Sequence, residues 1–175
     1  MSATDIVLTL TDTLTFNDET LDVMLTDMTD ELARRRLREG GPSIAWNIGH
    51  LLHHRNQIAA AVSCRGPALD LERYARGATD GHDYPTVREL LREWKDFSAR
   101  LVSRLRQLSL EELAGPSPIT LPHGERTLLD ALRFTTWHET VHLGQITMLR
   151  SHHGLTPTVT LILERAAAAS ASSTR

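Results

Sequence analysis

The sequence predicts an all-α protein, a four-helix bundle with short additional helices and one long loop between the second and third long helices. Apolar residues recur at helical spacing through four long stretches, three of those stretches open on a capping residue, and alternating strand patterns are nearly absent. Helices that bury one stripe each pack into a bundle, and a bundle interior is a natural place for a metal held by facing side chains.

Taken in order, Val7, Leu10, Leu14, Leu21, Met24 or Leu25, and Met28 place a first long helix over about 4–27. Thr11, Thr13 and Thr15 alternate with apolar positions there and leave a strand reading open. A short helix over 29–38 stops at Gly40-Gly41-Pro42, and Ser43 caps a second long helix to about Ser63. Residues 65–85, rich in Gly, Asp, Pro and charge, form a loop that crosses the molecule or covers one end of it. Thr86-Val87-Arg88-Glu89 is a capping box for a third helix to about Leu108, and Ser109-Leu110-Glu111-Glu112 is another, opening a short turn before Gly115-Pro116. The stretch from Ile119 to Glu125 reads as a turn or small hairpin. Thr127 caps the fourth long helix, which Gly154 ends after His153, and a last piece covers 158–169. Residues 1–169 are expected to form a single domain and 170–175 a disordered tail.

Composition limits the function classes. A chain of 175 residues with 41% apolar and 23% charged residues suits one globular core. Net charge is −3, and acidic residues are interspersed near the arginine clusters at Arg34-Arg35-Arg36 and from Arg100 to Arg106, so a nucleic-acid footprint is not indicated. The single cysteine, Cys64, cannot form an intrachain disulfide; it fits a reducing compartment and reads as a partly buried, inert thiol. The N-terminus lacks the basic start and apolar run of a signal peptide, and no stretch approaches the roughly 18–20 apolar residues of a membrane span, so a cytoplasmic location is expected.

The chemistry lies in the histidines. In His138-Glu139-Thr140-Val141-His142 two imidazoles four residues apart point the same way on a helix and can close on one metal ion. Ala131, Phe134, Thr135, Val141, Gln145, Ile146 and Leu149 share that side, which is otherwise the core face, so both rings need partners to offset desolvation. His50 is the choice of third ligand. The same wheel gathers Trp46, Asn47, His53, His54, Gln57 and Ala61 around it. His54 could substitute for His50 or orient a bound water, whereas His53 diverges toward the edge or surface. His123, in a turn, and His152 and His153, at a helix end, have weaker claims. Three imidazoles leave a coordination position open, the arrangement of a catalytic site.

Gly49-His50-Leu51 followed after about ninety residues by Trp137-His138-Glu139-Thr140-Val141-His142-Leu143-Gly144-Gln145-Ile146 resembles the DinB family, the DinB/YfiT-like metalloenzymes. The likeness extends from Ser43-Ile44-Ala45-Trp46 through Ile119-Thr120-Leu121-Pro122 and Gly124 to Arg150. The resemblance implies a four-helix bundle of unusual helix order, a divalent metal, zinc or nickel, on His50, His138 and His142, and frequent homodimerisation. It also implies thiol chemistry for some members, S-transfer from bacillithiol, mycothiol or glutathione, or mycothiol-dependent isomerisation.

Three functions are therefore weighed. The first is thiol S-transfer, with a low-molecular-weight thiol as cosubstrate, a small-molecule electrophile, and no nucleic-acid or membrane partner. His54, Asn47 or Gln57 would position the thiol or take a proton, and Tyr74, His82 or Tyr84 would enter from the long loop as a lid. The second is hydrolysis, with water at the open position; its sharper form is a zinc protease with Glu139 as general base and Glu164 as a downstream ligand. Against that form, Glu139 lies about 100° around the helix from His138, beside the core stripe, and the chain has no convincing sheet. The third is a non-catalytic, metal-stabilised binding protein.

Overall fold

The computed structural model describes residues 3–75, 84–121 and 126–172. Among them the chain is helical throughout, with no strand: α1 (Ala3–Met24), α2 (Asp30–Arg34), α3 (Ile44–Ala61), α4 (Val87–Leu105), α5 (Leu110–Ala114), α6 (Leu128–His152) and α7 (Thr158–Ser172), plus a 3₁₀ turn at Glu72–Tyr74. The all-α expectation is met. Of the four long helices, α1 packs on α6 and α4, α3 packs on the same two, and α7 lies against α1.

Helix boundaries follow local chemistry. Ser43 Oγ accepts from Trp46 N at the head of α3, and Thr86/Glu89, Ser109/Glu112 and Thr127/Asp130 close reciprocal capping boxes on α4, α5 and α6. Gly154, at φ 74°, turns the chain out of α6 in the left-handed region that glycine adopts without strain. The strand reading of the first helix fails because its threonines satisfy themselves within it. Thr13 and Thr15 donate their hydroxyls to the carbonyls of Thr9 and Thr11, both at 2.9 Å. α1 ends at Met24, three residues before the expected end. There Arg150, fully buried, donates to the Met24 carbonyl, to the Asp27 carboxylate at 2.7 and 3.1 Å, and to the Thr156 carbonyl at 3.0 Å.

The 3₁₀ turn Glu72–Tyr74 packs on one side of α3. Tyr74 and Tyr84 are both buried, with rings stacked 5.7 Å apart, and the head of α4 is tied to α2 where Arg34 donates to the Tyr84 carbonyl (2.9 Å) and Val87 N donates to Asp30 (2.8 Å). Neither tyrosine is therefore a lid; His82 lies outside the described residues, as does His123. Beside the 122–125 segment the chain does fold back on itself, Ser117 N donating to the Arg126 carbonyl (2.7 Å) and Leu128 N to that of Gly115 (2.8 Å), but no strand forms among the described residues. Two burial expectations are corrected. Val141 is exposed, in line with Trp137 on the outer face of α6, and His53 is buried. No described helix is long and apolar enough to cross a membrane.

Candidate metal centre

α3 and α6 pack against each other and bring three imidazoles from two distant parts of the chain to one point. His50, His138 and His142 each offer a ring nitrogen within 4.8 Å of the others. His138 Nε2 and His142 Nε2 are 3.1 Å apart, close to the about 3.4 Å that separates nitrogens on a tetrahedral zinc at ~2.1 Å.

Their outer nitrogens are held by neighbours. Asn47 Nδ2 donates to the Ser43 carbonyl (2.8 Å), which leaves Asn47 Oδ1 as an acceptor. His142 Nδ1–H donates to that oxygen at 2.6 Å, so the lone pair of His142 lies on Nε2, toward the other rings. His50 Nδ1–H donates to the Tyr74 carbonyl at 2.7 Å and is thereby fixed in the same tautomer. This is the pattern in which a metal-binding histidine is oriented by a hydrogen bond on its far side. Tyr74 reaches His50 only because residue 49 is glycine: a Cβ at Gly49 would lie inside the tyrosine ring.

Burial acts on the charge of these groups. Together with repulsion from neighbouring histidines, it lowers the pKa of His54 and His138 to about 3 and that of His142 to about 4, and it lowers His50 as well. The rings are neutral at pH 7, as metal ligation requires. His138 Nδ1 and His54 Nδ1 are buried and have no hydrogen-bond partner among the described residues. The nitrogen-only donor set and the matched tautomers of His50 and His142 fit a divalent cation.

The three rings lie in the wall of a cavity of about 710 Å³, whose other walls include Trp46, His54, Gln57, Ile119 and Phe134. Trp46 stacks on His50 with centroids 4.5 Å apart and interplanar angle 15°, and Phe134 stacks on His138 at 5.6 Å and 27°. His54 sits beside the triad, its ring 4.6 Å from His50 and 4.3 Å from His138, but outside the group whose nitrogens converge. Among the described residues no charged side chain lines this cavity.

Of the residues proposed from sequence, His50, His138 and His142 come together, His54 and Gln57 line the cavity, and Asn47 is spent on orienting His142. Glu139 is fully buried against Arg55 and does not line the cavity, and Glu164 is exposed on α7. Neither can play its part in the protease reading. The sequence reading missed the Tyr74 carbonyl and Arg55. A glycine in mid-helix, which costs up to about 1 kcal/mol relative to alanine, was the signal for the first.

Asn47→Ala should weaken metal affinity by about 10–100-fold, because His142 loses the acceptor that fixes its tautomer. Asn47→Asp, which keeps an acceptor, should lose less. Competition against a chromophoric chelator measures both.

Residues 13–146 match the family model described as the DinB superfamily. Among solved structures, a DinB-like protein from Bacillus cereus is similar at a TM-score of 0.64 and 17% identity, over 85% of this chain and 93% of that one. A conserved protein from Enterococcus faecalis is similar at 0.62 and 19%, over 86% and 96%. At such identities the likeness is one of fold. No curated protein matches the chain.

Proposed function

The chain belongs to the DinB superfamily, and we propose that it is a metal-dependent transferase joining a low-molecular-weight thiol to a small electrophile at the three-histidine site. The observation that carries this reading is the convergence of three neutral imidazoles, two of them locked in tautomer from behind, in the wall of a cavity large enough for a small molecule. A divalent cation held by His50, His138 and His142 would lower the pKa of a thiol presented to it.

The remaining work falls to the chain. Trp46, Phe134 and Ile119 give the cavity apolar walls that suit a hydrophobic electrophile. His54 and Gln57 supply polar contacts for the rest of the thiol. In the reaction the S–H proton leaves for solvent, an S–C bond forms, and the leaving group departs with its bonding pair. The protease alternative loses its general base, since both Glu139 oxygens are engaged by Arg55, at 2.5 and 2.8 Å.

Elemental analysis of freshly purified protein should find about one divalent metal per chain. Bacillithiol, mycothiol or glutathione should raise the melting temperature only when metal is present, since selective binding to the native state stabilises it. The same thiol should be consumed with a chlorinated aromatic electrophile. Metal without any thiol response overturns the transferase reading, and thiol-independent cleavage of activated esters replaces it with the hydrolase.

A further inference from the structure

We infer that the buried Arg55–Glu139 pair is a positioning device for the candidate ligand set, fixing how α3 and α6 slide against each other and so where His138 and His142 meet His50. The inference rests on the metal reading of the site.

Arg55 follows His54 on α3, and Glu139 follows His138 on α6, so the pair joins the two site-bearing helices at the level of the histidines. Both side chains are buried, at 1% and 0% exposure. The contact is a two-pronged fork, Nε to Oε1 at 2.5 Å and Nη2 to Oε2 at 2.8 Å. The guanidinium is held on its other sides by Asp18 of α1 (2.8 Å), by Ser98 of α4, and by the Trp94 ring beneath it at 4.2 Å. Glu139 Oε2 also accepts from Asn17 of α1 at 3.2 Å. One cation thus touches side chains of α1, α4 and α6 from its place on α3.

Stability alone does not account for such a pair, because well-packed apolar residues of similar volume often serve as well or better. Placement does. Apolar ridges tolerate small slides of one helix along another, whereas a bidentate fork breaks on both prongs when α6 shifts by a fraction of the ~1.5 Å rise per residue. A ligand set is sensitive at that scale, since metal–ligand distances must hold within about 0.2 Å.

The test loads the full chain with Co²⁺, whose visible bands report coordination geometry, and measures affinity by chelator competition. Three variants are compared with the parent: Arg55→Lys, Glu139→Gln, and the apolar double change Arg55→Met with Glu139→Leu. The double variant is expected to keep or raise the melting temperature while its cobalt bands shift and its affinity falls by about tenfold or more. Glu139→Gln, which retains shape, is expected to shift the bands less, and it carries the test should the double variant not fold. Folded variants whose bands overlay the parent and whose affinities lie within about twofold of it overturn the inference. No cobalt uptake by the parent overturns the metal reading itself, and this inference with it.

Discussion

His138→Ala is expected to abolish stoichiometric metal binding while leaving a folded protein. Structural zinc sites are worth about 10–16 kcal/mol, so an even share among four ligands assigns roughly 2.5–4 kcal/mol to each, a loss on the order of 10²–10³ in affinity. After dialysis against a weak chelator the variant should hold less than about a tenth of the parent's metal by elemental analysis. Folding should survive because His138 is only partly buried and its Nδ1 has no partner to lose. His54→Ala is the contrast. Its ring lies beside the triad but outside the converging group, so the variant should retain its metal. Full metal retention by the His138 variant would contradict the ligand set, and metal loss by the His54 variant would enlarge it.

The metal-free protein is expected to lose stability steeply between pH 6.5 and 5. The folded-state pKa values of His54, His138 and His142 lie at about 3, 3 and 4, below the ordinary 6.5. Between those limits the unfolded chain binds more protons than the folded one, so the stabilisation from neutral rings is complete above pH 6.5 and is lost as pH falls toward the folded values. Each group can contribute up to about 1.4 kcal/mol per pH unit. Halving that for solvent access to the cavity leaves roughly 2 kcal/mol per unit for the three. A domain stable by about 5–15 kcal/mol cannot absorb that over many units. Asp18 opposes the trend: burial raises its pKa to about 6, so the folded state holds that proton more tightly and gains stability as pH falls toward 3.8. It is one group against four, since the pKa of His50 is lowered as well. Urea midpoints at pH 7 and pH 5 in chelator measure the difference, and equal midpoints would contradict the argument. Metal should widen the gap at pH 7, because it binds only the neutral rings of the native state.

Much of the fold was legible because its signals are local. The capping residues Ser43, Thr86, Ser109 and Thr127 act within one helical turn, and they mark helix starts that the structure reproduces. The His138/His142 pair was legible for the same reason, its spacing being that of a single helix face. Features that depend on what another segment brings were not. The end of α1 is set by Arg150, 126 residues away, and His50 is oriented by a carbonyl 24 residues downstream in a stretch that reads as plain loop. Arg55 carried the weakest signal, since a lone charge on a helix ordinarily faces water, and its burial follows only from Glu139 and Asp18 arriving from two other helices.

A guanidinium shared among so many elements also bears on how the molecule opens. Peeling α1 or α6 away would strand Arg55 in an apolar interior with part of its compensation gone, which adds about 3–5 kcal/mol to the cost of such a partial opening. The helices gathered on that one cation are thereby biased to melt together.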